Sequence, residues 1–159
     1  MNDRSAFAGP GTRDDRVPPV LVTTVRRLFV PAGPDTLRCR LRYTLDDPYA
    51  VTLDLFVDPV ADLRVTWVVS RELLDRGTRG ASGEGDFRVR PVGDRYGAAG
   101  ALRFTLLRPE GRVCLETGLS GVRRWLDATY ALVPAGDESR LLDWDALEAA
   151  LLGRGGRRS

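Results

Sequence analysis

Between Leu37 and Leu45 the chain alternates without a break. Leu37, Cys39, Leu41, Tyr43 and Leu45 are apolar, while Arg38, Arg40, Arg42 and Thr44 are polar. A period of two lets a strand bury one face and show the other to water, and it would scatter these residues around a helix. The pattern recurs along the chain. Val51, Leu53, Leu55 and Val57 alternate with Thr52, Asp54, Phe56 and Asp58. Residues 20–30 are rich in Val, Leu, Thr and Phe; Val65, Trp67 and Val69 mark a fourth strand; residues 86–91, with Phe87 and Val89 inward, mark a fifth. Leu102, Phe104 and Leu106 give a sixth, and residues 112–116 a short seventh after the turn at Pro109, Glu110 and Gly111. The segment from Asp46 to Ala50 reads as a turn, because Pro48 fixes φ and aspartates favour turn starts.

Helical signals are fewer. Ser70 can cap a short helix to Arg76 ended by Gly77, Ser120 a longer one over 121–132, and Asp143 a last one over 144–152, stopped by Gly153. In the second, Val122, Trp125, Leu126 and Thr129 form an apolar stripe, and Pro134 follows its end. The expected class is α+β: about seven antiparallel strands in packed or strongly curved sheets, with two or three helices. Residues 1–19 and 153–159 lack periodicity and read as flexible tails around one domain at 20–152. The first tail has no apolar core of a secretory signal, and no apolar run approaches the roughly 18 residues of a membrane helix. The expected compartment is therefore the cytoplasm, with any membrane association indirect.

The alternation also constrains how the second and third strands meet. If the odd residues of both face inward, opposite residues must sum to an even number. Pairing Leu45 with Val51 sets Arg42 opposite Asp54, Arg40 opposite Phe56 and Arg38 opposite Asp58. That register neutralises the arginine ladder within the sheet.

Composition narrows the chemistry. Histidine is absent, which removes Ser-His-Asp and Cys-His nucleophile systems and the commonest ligand of zinc and iron. Cys39 and Cys114 are far apart and form no CxxC, so they read as reduced core residues, with Cys114 on the less buried face. Neither a metal nor a cofactor is expected. Three carboxylate pairs have simpler roles: Asp46 with Asp47 in a turn, Glu84 with Asp86 at a hairpin, and Asp143 with Asp145 at a helix start. The glycine-rich stretch 80–85 leads into a strand rather than a helix, so it reads as a flexible turn and not a phosphate loop. Every basic residue is arginine, as in a GC-rich genome, and the formal net charge is only +2. That balance argues against a nucleic-acid binder. Trp67, Trp125 and Trp144 all occupy apolar positions of the pattern, where most tryptophans are core residues. Trp125 is the exception to watch: it follows Arg123 and Arg124, and Trp beside Arg is a common pairing at protein interfaces, so Arg123, Arg124 and Trp125 are the candidate partner contacts.

Several segments in this order resemble the SsgA-like proteins of actinobacterial sporulation and cell division. They are Asp46-Asp47-Pro48-Tyr49-Ala50-Val51, Trp67-Val68, Arg71 with Leu73, Leu74 and Gly77, and Gly83, Gly85 and Asp86 with Val89 and Pro91. The turn at Pro109 and the stretch 134–152 add to the resemblance, which covers roughly residues 20–152. Phe87 and Arg90 depart from the family's commoner hairpin residues. The resemblance implies a fold similar to the Whirly nucleic-acid-binding proteins, assembled as a trimer. It also implies a non-enzymatic role at septum sites, through partners such as the tubulin-like GTPase FtsZ or another SsgA-like protein. On this reading Asp47, Pro48, Tyr49, Trp67, Arg71, Gly83, Gly85 and Asp86 are structural. The alternative function is single-stranded nucleic-acid binding on the sheet, for which Phe56 with Arg38, Arg40 and Arg42 is the local candidate.

Overall fold

The computed structural model describes residues 17–30, 32–33, 35–93 and 100–153. Most of both expected tails, 1–16 and 154–159, lies outside the described residues. Eight strands form one antiparallel sheet: β1 (Val20–Leu28), β2 (Thr36–Tyr43), β3 (Ala50–Asp58), β4 (Leu63–Ser70), β5 (Ser82–Glu84), β6 (Phe87–Val92), β7 (Ala101–Arg108) and β8 (Gly111–Gly118). Three α-helices accompany them: α1 (Arg71–Gly77), α2 (Leu119–Leu132) and α3 (Trp144–Leu152), with a short 3-10 turn at Glu138–Leu141. The spatial order is β4-β3-β2-β1-β8-β7-β6-β5, so two four-stranded meanders are joined through β1 and β8.

This order forces curvature. β4 and β5 are opposite edges of the sheet, yet only residues 71–81 connect them. Laid flat, eight strands would hold the edges about 34 Å apart. The seven-residue α1 spans only about 10 Å, and four extended residues add at most about 14 Å. The sheet therefore curls into a half-barrel, and the edges approach closely enough for the Trp67 ring of β4 to lie 6.5 Å from that of Phe87 in β6. The concave face is the core. Val25, Cys39, Leu41, Tyr43, Val51, Leu53, Val89, Leu102, Phe104 and Leu115 are essentially inaccessible there. Leu73 and Leu74 of α1 and Val122, Trp125 and Leu126 of α2 close it.

Ser70 caps α1 as expected, its hydroxyl accepting the Leu73 N–H at 3.2 Å, and Asp143 caps α3 by accepting the Ala146 N–H at 2.9 Å. Several expectations need correction. The glycine-rich segment is not merely a turn: Ser82–Glu84 pairs with β6 as an eighth strand. It has too few side chains to show a period, so only the partner strand reveals it. Helix α2 begins one residue before Ser120, with Gly118 as its N-cap and no side-chain hydrogen bond there. The strand β8 runs straight into it, leaving no room for a separate capping turn. Trp144 is 53% exposed rather than in the core, with its indole N–H donating to the Ser139 carbonyl at 3.0 Å. Cys114 lies on the convex face but is buried all the same.

The β2–β3 register is shifted by two residues from the one inferred. Arg40 stands opposite Asp54, Arg38 opposite Phe56 and Arg42 opposite Thr52. The parity argument holds, since odd residues still meet odd. The turn, however, closes on Tyr43 with Val51 instead of Leu45 with Val51. Tyr43 donates its hydroxyl to the Pro48 carbonyl at 3.0 Å, and the Ala50 N–H reaches the Asp47 carbonyl. These bonds draw Leu45 out of the ladder. Asp58 then has no arginine opposite it and instead accepts the N–H groups of Val60 and Ala61 in the next turn.

Candidate interaction surface

The resemblance motifs converge in space although they are scattered in sequence. At their centre is Arg71, the first residue of α1 and 1% exposed. One guanidinium nitrogen donates to the carbonyls of Thr129 (3.1 Å) and Val133 (2.9 Å), and another to Glu138 at 2.7 Å. The plane lies between the rings of Tyr130, 4.0 Å from its centroid, and Tyr43, 4.8 Å from its centroid. The carbonyls of a helix's last turn have no partner within the helix and carry partial negative charge. Arg71 supplies the donor for the Val133 carbonyl, joins the Val133 N–H on the Thr129 carbonyl, and fixes the end of α2 against the start of α1. The Asp47-Pro48-Tyr49 turn is tied to the same point, because the Arg71 N–H donates to the Tyr49 carbonyl at 2.8 Å.

Two grooves meet at Ser70. One, of about 370 Å³, is lined by Tyr49, Glu72, Tyr130, Ala135, Gly136 and Glu138 beside Ser70. The other, of about 220 Å³, runs along the seam of the half-barrel between β4 and the β5–β6 hairpin, where Trp67 faces Glu84, Asp86 and Phe87. Gly85 makes that hairpin turn at φ 55°, and Gly83 lies under Arg88, whose Cδ would be 2.3 Å from a Cβ at that position. The Arg108 guanidinium sits 5.5 Å over the Trp67 ring, while the Trp67 indole N–H is buried without an acceptor. Tyr49, 48% exposed, is the large aromatic at the mouth of the first groove. Thus Asp47, Pro48, Tyr49 and Arg71 form one cluster, and Trp67, Gly83, Gly85 and Asp86 form another along the seam. The Arg123-Arg124-Trp125 triplet does not form one exposed patch. Trp125 is 5% exposed, its indole N–H donates to the Pro19 carbonyl at 2.9 Å, and Arg123 donates to the Thr78 carbonyl at 2.6 Å. Only the two arginines of the triplet face outward.

Tyr130 and Glu138 were not singled out in the sequence. The only signal available for them was an unpaired arginine at a helix start, whose partners lie some sixty residues away.

The titratable groups of this frame are held in their structural states. Burial alone would raise the pKa of Asp54, which is wholly inaccessible. Hydrogen bonds from Arg42 (2.9 Å), Thr66 (2.7 Å) and Arg40 (3.0 Å) outweigh burial and hold it below its ordinary range. Glu138 is likewise held low despite its desolvation, by its own and the Gly136 backbone N–H groups and by Arg71. Burial, with the Asp54 charge nearby, pushes the Cys39 thiol up to about 12, which removes it as a nucleophile. Among the described residues no group of three or more Cys, Asp or Glu side chains could hold a metal ion.

The two depressed carboxylates fix the sign of the acid response. A carboxyl with a lower pKa folded than unfolded binds fewer protons when folded, so its contribution is full above the unfolded pKa and is lost as pH falls through the folded one. Melting temperature is expected to be flat from pH 7 to 5 and to fall below about pH 4. Asp54→Asn should flatten part of that fall in melts across pH 3–7. An Asn variant with the wild-type acid slope would show that Asp54 does not carry it.

Comparison with known proteins gives the same frame elsewhere. The family model described as the Streptomyces sporulation and cell division protein SsgA matches residues 37–138. A sporulation-specific cell division protein SsgB from Kineococcus radiotolerans is 39% identical over 127 residues, 79% of this chain and 75% of the relative. One from Frankia casuarinae is 39% identical over 131 residues, 82% and 88% of the two chains. The crystal structure of an SsgA-like sporulation-specific cell division protein from Thermobifida fusca superposes with a TM-score of 0.72 at 34% identity, covering 82% of this chain and 93% of that one. With the Arg71 node and the hairpin glycines in the matched region, this chain belongs to the SsgA family of sporulation and cell division proteins.

Proposed function

We propose that this chain is a non-enzymatic recruiter in sporulation-specific division, working in the cytoplasm at septum sites as a homo-oligomer, a trimer in the simplest form. Its partners are division proteins: FtsZ, cell-wall remodelling factors or another member of its own family. The observation that carries the reading is the Arg71 node, which ties the family's motif residues into one frame beneath open grooves. The shifted groups fit it. A general acid needs a carboxyl raised toward neutral pH and a nucleophile needs a lowered thiol. Here Asp54 and Glu138 are held low and Cys39 high. The motif residues build a frame under two open grooves, with Tyr49 exposed at the mouth of one of them. A symmetric oligomer would repeat that surface and raise its avidity for a polymeric partner.

The single-stranded nucleic-acid reading finds little support on the β2–β3 face. Asp54 engages Arg40 and Arg42, and Phe56, 9% exposed, lies under the Arg38 guanidinium at 4.3 Å, so no ring is open for a base to stack on. The test is co-sedimentation with FtsZ polymers, alongside light scattering. Wild type should pellet with the polymer and Tyr49→Ala should bind on the order of tenfold more weakly, as an aromatic interface anchor does. A protein that stays in the supernatant, or a single 17.5 kDa species at every concentration, would sink this recruiter mechanism.

A further inference from the structure

The two halves of the convex face hold their arginines differently. On β2, Asp54 binds both Arg40 and Arg42, and Arg38 stacks on Phe56, so each arginine is engaged by a side chain. On β6, β7 and β8 the arginines line a trough of about 580 Å³: Arg88, Arg90, Arg103 and Arg112, over a floor that includes Thr105 and Leu107. Among the described residues only Arg103 has a carboxylate there, Glu116 at 2.5 Å, and Glu116 is shared with Arg26 at 3.7 Å. Arg88 donates to the carbonyls of Gly85 and Phe87, which leaves its charge uncompensated. Arg90 stands directly opposite Arg103 in the β6–β7 ladder. Like charges facing each other across strands are destabilising. Arg90 and Arg112 are exposed, with no acid on either among the described residues. Four guanidinium groups, of which Arg103 alone meets a carboxylate, make a surface whose missing component is an external anion.

The geometry points to an acidic, extended segment of a protein partner lying along β6 in this trough. Arg88 and Arg90 are two residues apart on one strand, hence about 7 Å apart, and carboxylates at alternate positions of an extended peptide have the same spacing. Guanidinium and carboxylate then meet in charge-assisted, paired hydrogen bonds. Single-stranded nucleic acid fits less well, because no aromatic side chain lines the trough and its bases would have nothing to stack on. This inference rests on the recruitment reading, and it concerns a surface separate from the Tyr49 grooves.

Fluorescence anisotropy on the purified chain tests it, with a labelled ten-residue peptide of alternating glutamate and serine and a labelled ten-nucleotide oligothymidylate. The peptide should bind at 50 mM salt and weaken as salt rises, since exposed charges are screened. Arg90→Glu with Arg112→Glu should weaken it about tenfold or more, while Arg64→Glu with Arg76→Glu, an equal change in charge elsewhere, should leave it within about twofold. Unchanged melting curves would show that the trough variant folds. Three results would overturn the inference: no peptide binding, equal losses in the two double variants, or tighter binding of the oligothymidylate than of the peptide. Failure to pellet with FtsZ polymers would bear on the recruiter reading alone and leave these measurements standing.

Discussion

Arg71→Ala is expected to cost roughly 3–5 kcal/mol of folding free energy, the cost of removing one partner from a buried charge network. The side chain is inaccessible, and its loss leaves the Val133 carbonyl without its donor, the Thr129 carbonyl with the Val133 N–H alone, and Glu138 without its counter-charge. Two tyrosine rings also lose the cation between them. For a domain of this size the melting temperature should fall by on the order of 10–15 °C. Arg71→Lys should fall between wild type and Ala. An ammonium keeps the charge, but it cannot reach two carbonyls and a carboxylate in one plane. Thermal and urea unfolding check both variants. A loss below about 1 kcal/mol in Arg71→Ala would mean that water replaces the guanidinium and that the node does not lock α1 to α2. Near-total unfolding is within range for a domain of ordinary stability, and the Lys variant then carries the measurement.

Gly77→Ala is expected to destabilise even though alanine is the better helix former. Intrinsic propensity would favour alanine by about 1 kcal/mol. A Cβ at position 77 would stand 2.1 Å from Cγ1 of Val89 and 2.9 Å from its Cγ2, inside the core and against a β-branched side chain that cannot turn away. Overpacking of this kind costs roughly 1–3 kcal/mol, so sterics reverse the sign set by propensity. The closing end of α1 carries the connection between the two sheet edges, and any displacement there is transmitted to the seam at Trp67 and Phe87. Pairing the change with Val89→Ala tests the cause. The double variant should be less destabilised than the sum of the two single changes, by roughly 0.5–3 kcal/mol. Simple additivity would show that the 77–89 contact is not the source.

Seven of the eight strands and the starts of α1 and α3 were legible because they depend on local chemistry; Ser120 does not cap α2, and Gly77 is the last residue of α1 rather than its stop. Alternation in β2 and β3, the Ser70 and Asp143 caps, and the proline turn at 46–50 each follow from residues within a few positions of one another. The apolar stripe of α2 was equally plain, and Trp125 went to the core with it. The parity of the β2–β3 pairing was determined as well, since odd residues had to meet odd to keep one face buried. The two-residue shift was not, because every even register satisfies that rule. The register observed is the one in which the Tyr43 hydroxyl reaches the Pro48 carbonyl and the Ala50 N–H reaches that of Asp47.

What tertiary structure alone decided lies at long sequence distance. Strand β5 has three residues and no pattern, and it exists because β6 offers it a ladder. Arg71 looked like any helix-start arginine until the end of α2, some sixty residues on, came to rest against it. Trp144 matched the apolar pattern of a core residue, but α3 buries none of its side chains. The arginine trough combines side chains from β6, β7 and β8, none of which is a basic run in sequence. Periodicity reports which face of a strand is wet. It carries no information on which strands become neighbours, because closing the sheet depends on the short 71–81 connection drawing opposite edges together.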